Sequence, residues 1–392
     1  MSPNINRLKS LMEKYEFSLI VASTPANVTY MTGFSCLSHK ILRDTKIFAL
    51  LSKHQDKPVI IAPIAELDTT IDTEVYVNEI IPYGKFYFTS INRVPERVKA
   101  FLELANKSRA DVDVNEILTE EIIKRINPSN TVGIDDPYLL SFLLKRIKNC
   151  SNVKMKDASN LFQMARMKKT GEEVSIMKRS AEMVEGAIEY CLEFAREGET
   201  EIDMTKKFNK FVIDQGGSPV FTIIGFGERS AYPNVEPSER KLKKGDIIRF
   251  DVGCIWKNYC SDISRTVVFG EPEKKHKEYY EAIHAGLKKG IEEIRAGIKV
   301  SEIFEVITEF VKKTIPHYRR HHCGHGIGLE IFEPPAINPR DTTVLEEGMT
   351  LCVETPYYEL GWGGLQVEDE VVVSNKGCEY ITHKDSLLRW WR

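Results

Sequence analysis

Apolar residues along the first 160 or so positions alternate between two spacings. Residues 5, 8, 11, 12 and 15 follow the spacing of an amphipathic helix, whereas the apolar run at 18–22 is typical of a buried strand. Strand patterns continue to alternate with helical ones along this part of the chain, which predicts an α/β layer domain. The further predicted strands are 47–51, 59–62, 75–81 and 132–135, and the predicted helices are 26–32, 94–105 and 137–148.

The remainder of the chain contains two groups of predicted helices, each followed by predicted strands. Apolar residues at alternating three and four spacing over 171–196 predict a long helix. Thr200 and Asp203 resemble a capping box that opens the next helix, and Gly216 with Gly217 closes it. Two more amphipathic helices are predicted around 280–294 and 303–311.

Two acidic residues lie inside a stretch that otherwise has the pattern of a buried β-hairpin. Apolar runs at 247–253 and 260–269 flank a polar tip at 256–259, which predicts two antiparallel strands and a short turn. Asp251 and Asp262 interrupt these runs. A buried carboxylate is costly unless it is neutralised, paired or bound to a metal. The hairpin is therefore a candidate functional element.

The last third of the chain repeats this arrangement. The apolar run 348–356 contains Glu354, and the run 363–373 that follows it contains Glu368. Each hairpin comes after a group of helices, so the second domain is predicted to consist of two similar helix-plus-hairpin halves. The four acids are then expected to converge between the halves.

A histidine flanked by glycines lies between the two predicted hairpins. The segment 324–328 reads Gly-His-Gly-Ile-Gly, and its glycines permit a tight backbone approach around His325. Four carboxylates and one imidazole form a ligand set suited to a pair of divalent ions such as Mn, Co, Fe or Zn. A single acid in a strand is more often an ion-pair partner, and a lone histidine is more often a core residue. The combination of both hairpins with His325 favours the metal site.

Composition and charge narrow the function classes. The 392 residues include 54 basic and 57 acidic ones. This balance lacks the basic excess that is typical of nucleic-acid-binding proteins. The N-terminal residues lack the pattern of a signal peptide, and no window approaches the ~20 apolar residues of a membrane span. We therefore expect a cytoplasmic protein. The eight cysteines form no CxxC pair, so the sequence predicts buried, reduced thiols.

The order of these candidate ligands resembles the pita-bread metallopeptidase family of prolidase, aminopeptidase P, methionine aminopeptidase and creatinase. The resemblance rests on Asp251, Asp262, the segment 324–329, Glu354 and the pair 368–369. The segments 26–34 and 167–173 resemble prolidases and creatinases in particular. The resemblance implies a creatinase/prolidase-like α/β N-terminal domain over 1–160. It also implies a pita-bread α+β catalytic domain with pseudo-twofold halves over 161–392.

The resemblance also implies roles for individual residues. A dinuclear metal centre would be held by Asp251, Asp262, His325, Glu354 and Glu368. Glu354 would in addition act as the general base. His321, four residues before the histidine ligand, matches a family histidine that contacts the substrate or the tetrahedral intermediate. A small peptide or small-molecule substrate and a homodimer are further implications.

Three positions depart from the pattern of prolidases and aminopeptidases P. Asn234 and Phe332 stand where those relatives usually carry histidines, and Gln366 stands where they usually carry an arginine. These replacements remove titratable or cationic groups from the expected substrate pocket. Trp362, between two predicted ligands, is a candidate for the same pocket, with simple packing as its alternative.

Three functions remain open at this point. The first is a metal-dependent Xaa-Pro dipeptidase or aminopeptidase P-like hydrolase with an altered pocket. The second is a family member that acts on a small non-peptide substrate, such as a cyclic amidine, a guanidino compound or a sulfonium compound. The third is a non-catalytic binding protein, although retention of all five predicted ligands argues against it.

Overall fold

The computed structural model describes residues 4–42, 44–91, 93–127, 130–147, 153–383 and 387–391. The chain divides into two compact units, Met1–Arg166 and Met167–Arg392. Position 148, where the last predicted helix of the first domain ends, lies outside the described residues, as does Cys150.

The first unit is built on a six-stranded mixed sheet with the strand order β4-β3-β2-β1-β5-β6. Strand β1 pairs antiparallel with β2 and parallel with β5, so helical connections are required on one side of it. The α/β character predicted for this domain is confirmed. Its helices are α1 Ile5–Lys14, α2 Pro25–Thr32, α3 Leu37–Ile41, α4 Asp68–Asp72, α5 Glu96–Ala105, α6 Val114–Arg125, α7 Pro137–Ile147 and α8 Ser159–Met167, and its strands are β1 Leu19–Ala22, β2 Phe48–Ser52, β3 Val59–Pro63, β4 Glu79–Tyr83, β5 Thr131–Ile134 and β6 Lys154–Asp157.

The fourth strand of this sheet lies later in the chain than its sequence pattern predicts. The prediction was 75–81, whereas β4 is Glu79–Tyr83. The backbone N–H of Tyr76 donates to the Thr32 carbonyl at 2.7 Å, and that of Asn78 donates to the Pro58 carbonyl at 2.8 Å. These groups bond to a helix end and a loop, so they are not available to a ladder with β3. Helix α6 was not predicted, and it packs Ile117, Leu118 and Ile122 into the core.

A buried carboxylate after β5 holds the connection between β1 and α2. Asp135 is 5% exposed. It accepts hydrogen bonds from the backbone and hydroxyl groups of Ser23 and Thr24 and from Asn27 Nδ2, at 2.6–3.1 Å. Five donors satisfy this charge completely, so Asp135 is a structural residue.

The second unit contains two pairs of helices, each followed by a sheet. One five-stranded sheet has the path β18-β10-β8-β7 with β9 paired to β8, and the other has the order β12-β11-β13-β16-β17. The predicted helix-plus-hairpin halves are confirmed. The helices are α9 Gly171–Glu193, α10 Glu201–Asp214, α11 Lys274–Glu293 and α12 Val300–Lys312, and the strands are β7 Ser218–Phe226, β8 Ile247–Trp256, β9 Tyr259–Cys260, β10 Ile263–Phe269, β11 Gly324–Gly326, β12 Glu333–Ala336, β13 Thr350–Glu354, β14 Tyr357–Glu359, β15 Gly363–Leu365, β16 Glu368–Val373, β17 Cys378–Tyr380 and β18 Arg389–Trp391.

The two helices of the first half begin where the sequence predicts, whereas α11 begins at Lys274, ahead of the predicted 280. Thr170 and Glu173 form a capping box at the start of α9, and Thr200 and Asp203 form the predicted one at the start of α10. Reciprocal hydrogen bonds at such boxes satisfy backbone donors that have no partner inside the helix. The apolar faces of α9 and α10 are buried, including Met177, Val184, Ile188, Phe208 and Val212.

Two predictions from the sequence concern membrane-spanning helices and the state of the cysteines. Over the described ranges, no helix combines the length and the apolar character that a bilayer crossing requires. Seven cysteines lie in the described part of the chain, and none of these seven is joined by a disulfide bond. Six of them are buried, in agreement with the predicted buried, reduced thiols.

Glycines allow α11 and α12 to cross closely. A Cβ atom added at Gly286 would lie 2.4 Å from Val311 Cγ2. We therefore expect Gly286→Ala to lower the free energy of unfolding by about 1–3 kcal/mol, because the new methyl group overpacks against a β-branched side chain with little rotamer freedom. Denaturant-induced unfolding measures the change.

Gly171→Ala is the matched control, since a Cβ atom there meets no atom within 4 Å. It should leave stability unchanged or raise it by up to about 1 kcal/mol through helix propensity. Wild-type stability of Gly286→Ala would contradict the close helix crossing.

Candidate metal centre

The β8–β10 hairpin contributes two of the four predicted acids. Its register places Asp251 opposite Ser264, and Asp262 immediately precedes β10. Ser264 Oγ lies 3.0 Å from Asp251 Oδ1 and also 3.0 Å from Glu368 Oε2 on β16. The Asp262 backbone N–H donates to Glu370 Oε1 at 2.7 Å. Ser264 thus links Asp251 to the second sheet, and Glu370 links the Asp262 backbone to it.

The second sheet contributes the other ligand candidates from three adjacent strands. Glu354 on β13 lies opposite Glu368 on β16, and His325 on β11 lies opposite Cys352 on β13. Side chains two residues apart on a strand share a face, and directly opposed residues do so as well. All four side chains therefore project from one face of this sheet.

The approach of β11 to β13 depends on Gly324. Its φ is +139°, and a Cβ atom there would lie 2.1 Å from the Cys352 carbonyl oxygen. Only glycine permits this backbone geometry and this separation. Gly324 thus places His325 next to β13.

Four buried side chains form a compact group of potential ligand atoms. One such atom from each of Asp262, His325, Cys352 and Glu368 lies within 4.8 Å of all the others. His325 Nε2 is 3.7 Å from Asp262 Oδ2. Atoms on opposite sides of one bound ion are about 4–4.5 Å apart, since each bond is about 2.0–2.3 Å long. This group therefore needs only small movements to hold an ion.

The other two predicted ligands adjoin this group. Ser264 Oγ contacts both Asp251 and Glu368, which belongs to this group. Glu354 lies opposite Glu368 in the ladder between β13 and β16. The structure thus brings together Asp251, Asp262, His325, Glu354 and Glu368, the five residues that the sequence analysis selects.

The electrostatics of the acids are those of a cation site. Burial raises the pKa of Asp251, and burial together with neighbouring carboxyl groups raises the pKa of Asp262 and Glu368 well above the usual range. Asp262 Oδ1 is buried and has no hydrogen-bond partner among the described residues. Unlike the carboxylate of Asp135, that of Asp262 therefore has an oxygen whose charge no donor compensates. A divalent cation would supply that compensation, so the residues present fit such an ion.

Glu354 has a different environment from the other acids. His322 Nδ1 lies 2.9 Å and Arg320 Nη2 lies 3.6 Å from its Oε1 atom. Burial acts to raise the pKa of Glu354, but the hydrogen bond with His322 and the charge of Arg320 outweigh it and lower the pKa. Glu354 is therefore held as a carboxylate, the form in which it accepts a proton.

Gln366 lies in the same hydrogen-bond network. Its Nε2 atom donates to Glu354 Oε2 at 3.3 Å. Its Oε1 atom accepts from Arg249 Nη1 at 2.8 Å and from the Tyr358 hydroxyl at 3.0 Å. Arg249 is fully buried and also lies 3.1 Å from Asp251 Oδ2. A guanidinium from β8 thus provides positive charge beside the neutral Gln366 amide.

The remaining predicted site residues lie at the periphery. His321 is exposed, with its ring centroid 4.3 Å from that of His322. Phe332 is 62% exposed and stacks on His325 at 3.6 Å between centroids. Asn234 is exposed. Trp362 packs against α11, where Lys275 Nζ lies 4.3 Å from its ring.

Sequence reasoning missed several residues of this site. His322 was passed over for its neighbour His321, and nothing in the sequence pattern distinguishes the two. Cys352 lies inside an apolar run and resembles a core residue. Arg249 carried a usable signal, because a charged side chain in the apolar run 247–250 requires a buried partner. Glu370 offered a similar signal among 367–373.

Comparison with known proteins extends these observations. Residues 175–375 match metallopeptidase family M24, and residues 4–168 match the creatinase/prolidase N-terminal domain. The chain is 33% identical over 273 residues to the Xaa-Pro dipeptidase of Pyrococcus furiosus. The aligned region covers 69% of this chain and 78% of the relative.

Solved structures with similar folds span almost the whole chain. The Xaa-Pro dipeptidase from Bacillus anthracis has a TM-score of 0.80 at 27% identity and covers 98% of both chains. A dipeptidase from Pyrococcus horikoshii OT3 has a TM-score of 0.79 at 25% identity and covers 98% of this chain and 99% of its own. The predicted fold, an α/β N-terminal domain followed by a pita-bread catalytic domain, is confirmed.

The raised pKa values predict how the metal-free protein responds to pH. A carboxyl group whose folded pKa exceeds its unfolded value stabilises the fold fully below the unfolded pKa, and this contribution is lost as the pH rises through the folded pKa. Burial raises the pKa of Glu370 to about 8, and those of Asp262 and Glu368 are also raised. We expect the Tm of chelator-treated protein to fall as the pH is raised from about 5 to about 9.

Protein loaded with a divalent ion should show a smaller fall, because the cation replaces the protons that neutralise the acids. The control is Glu370→Gln, which retains an acceptor for the Asp262 N–H but does not titrate, and its fall without metal should be smaller than that of the wild type. Thermal unfolding across this pH range measures both. A Tm of the stripped protein that rises with pH would contradict the assignment.

Proposed function

Because this chain belongs to metallopeptidase family M24, we propose that it is a metal-dependent peptidase that hydrolyses the bond preceding proline. The observation that carries the proposal is the buried group of acids around His325, with a separately stabilised carboxylate at Glu354 beside it. The 33% identity to an Xaa-Pro dipeptidase supports the substrate class.

The proposed ligands are Asp251, Asp262, His325, Glu354 and Glu368, and the proposed cofactor is a pair of divalent ions of Mn, Co, Fe or Zn. When bound, such ions polarise the scissile carbonyl and lower the pKa of the attacking water. Antiparallel ladders carry Asp251, His325, Glu354 and Glu368, and Asp262 immediately precedes β10, so backbone hydrogen bonds hold the site in place. The unpartnered Asp262 Oδ1 and the raised pKa values of the acids support this assignment.

Glu354 is the proposed general base. Its lowered pKa keeps it ionised near neutral pH, so it can accept a proton from the attacking water. His322 and Gln366 contact different oxygens of this carboxylate and fix its orientation. His321, for which the family resemblance implies a substrate contact, lies one residue from this network.

A neighbouring cavity provides room for a short peptide. It has a volume of about 730 Å³ and is bordered by Arg320, which contacts Glu354, and by Tyr358, which contacts Gln366. Arg319 lines it beside Arg320, whereas Lys275 in the same wall is paired with Glu359. The two arginines suit a peptide carboxylate. Phe332, Asn234, Gln366 and Trp362 remain proposed substrate-binding residues, with Phe332 as an apolar wall beside His325.

A second candidate function is hydrolysis of a small non-peptide substrate, such as a cyclic amidine, a guanidino compound or a sulfonium compound. The replacements at Asn234, Phe332 and Gln366 favour it, because they remove groups that the prolidase pattern carries. A non-catalytic binding protein is the third candidate. The compact ligand group argues against it.

The proposal has three further parts, supported by the family resemblance and by the balanced charge of the chain. Residues 1–160 form the N-terminal domain and 161–392 the catalytic domain. The protein is a homodimer, and it acts in the cytoplasm. Nucleic acid and membrane are not proposed partners.

Metal-dependent cleavage of Xaa-Pro peptides is the central test. Protein stripped of metal and reloaded with Mn or Co should hydrolyse Xaa-Pro dipeptides, whereas Glu354→Ala should lose at least about 10²–10⁴-fold in kcat, since it removes the general base and a ligand. Product release from a panel of dipeptides and longer Xaa-Pro peptides measures this.

Each outcome of this test separates the candidates. Cleavage in the wild type that is absent from Glu354→Ala supports the peptidase. Bound metal without cleavage favours a non-peptide substrate. Absence of both metal and cleavage favours the binding protein.

The adjacent histidines provide a second prediction. His322→Ala should lower kcat for an Xaa-Pro dipeptide by about 10²-fold, because Glu354 loses its hydrogen-bond partner. The acidic limb of the pH–rate profile should also move to higher pH, since the pKa of Glu354 is no longer lowered by this bond. His321→Ala is the matched control and should lose much less activity. The reverse order would assign the substrate contact to His321 instead.

A further inference from the structure

The Cys352 thiol lies within the ligand group of the proposed metal centre. Cys352 is completely buried on β13, two residues before Glu354 and directly opposite His325. Its Sγ atom is within 4.8 Å of ligand atoms from Asp262, His325 and Glu368. Sulfur is thus one of four potential donor atoms that lie within 4.8 Å of one another.

The neighbouring groups leave the thiol available for an ion. Its contact in the structure is with the Asp262 carbonyl oxygen at 3.9 Å, a weak hydrogen bond at most. Asp262 Oδ1, in the same group, is buried without a hydrogen-bond partner among the described residues. A buried orphan acceptor beside a weakly bonded thiol indicates that a cation completes this arrangement.

Cys254, one of the two cysteines of the facing hairpin, has a different environment. Cys254 on β8 is also completely buried, but its thiol lies 3.3 Å from Ser180 Oγ and 3.7 Å from Ser261 Oγ. Asp251 and Cys254 are three residues apart on the strand, so their side chains project from opposite faces. Cys254 is therefore packed away from the acids.

We propose that Cys352 Sγ is an additional ligand of the ion held by Asp262, His325 and Glu368. On binding, the S–H bond is lost, a sulfur–metal bond forms and the proton passes to solvent. This inference rests on the proposed function, because it concerns the same metal centre. It adds a soft donor to a carboxylate-rich site and so directs metal preference toward Zn, Co or Fe and away from Mn.

Two spectroscopic measurements on the full-length protein test the inference directly. X-ray absorption at the zinc edge of Zn-loaded wild type should show a sulfur neighbour at about 2.3 Å. Co-loaded wild type should show a sulfur-to-cobalt charge-transfer band in the near ultraviolet. Neither measurement depends on activity or on a variant that folds.

Matched cysteine variants assign the sulfur. Cys352→Ser should remove the charge-transfer band and lower the preference for Zn over Mn by at least about tenfold in competition titrations. Cys254→Ser should retain both the band and the preference. If Cys352→Ser fails to fold, a zinc-edge spectrum of the wild type without a sulfur neighbour still overturns the inference, and a sulfur neighbour that is retained in Cys254→Ser supports it.

The outcomes separate this inference from the proposed function. Metal-bound, active protein without a sulfur neighbour overturns the Cys352 assignment and leaves the peptidase intact. A band that persists in Cys352→Ser also overturns it, because another thiol is then the ligand. Protein that binds neither Zn nor Co contradicts both proposals.

Discussion

Repulsion among buried carboxyl groups is the constraint on which the arrangement of the second unit depends. Asp251, Asp262, Glu354 and Glu368 share the space between two sheets, where burial makes the ionised form of each acid costly. The acids must therefore be neutralised by protons or by a cation, and this requirement supports the proposed metal centre.

The first unit shows the alternative solution for a buried acid. Asp135 accepts five hydrogen bonds from one turn and one helix start, so the protein itself compensates its charge. Asp262 retains an orphan oxygen instead. The same residue type thus has a structural role in one unit and a proposed ligand role in the other, and the number of nearby donors makes the difference.

The acids of the site also differ in the side chains that neighbour them. His322 and Arg320 keep Glu354 ionised, whereas Asp262 and Glu368 lack comparable cationic neighbours. Arg249 contacts both Asp251 and Gln366. Its guanidinium therefore provides a positive charge beside the neutral side-chain amide of Gln366. The proposed proton acceptor and the proposed ligands thus differ in their neighbours, although their sequence contexts are similar.

Much of the fold and of the candidate site could be predicted from the sequence, because the relevant signals are local. Apolar runs predicted both hairpins, and the acids within them stood out as charges in apolar strands. Capping residues at Thr200 and Asp203 marked a helix start that the structure confirms. The strand at 75–81 was wrong because the backbone groups of Tyr76 and Asn78 bond to distant segments, which no local pattern reports.

The sequence by itself determined the two-part fold, the repeated halves and the five candidate ligands. Only the tertiary structure decided that His322 rather than His321 contacts Glu354, that Arg249 supports Gln366, and that Cys352 joins the ligand group. Periodicity along a strand fixes which face a side chain occupies. What lies opposite that face depends on how strands that are distant in the sequence pack together. Arg249 and Gln366, for example, are separated by 117 residues along the chain.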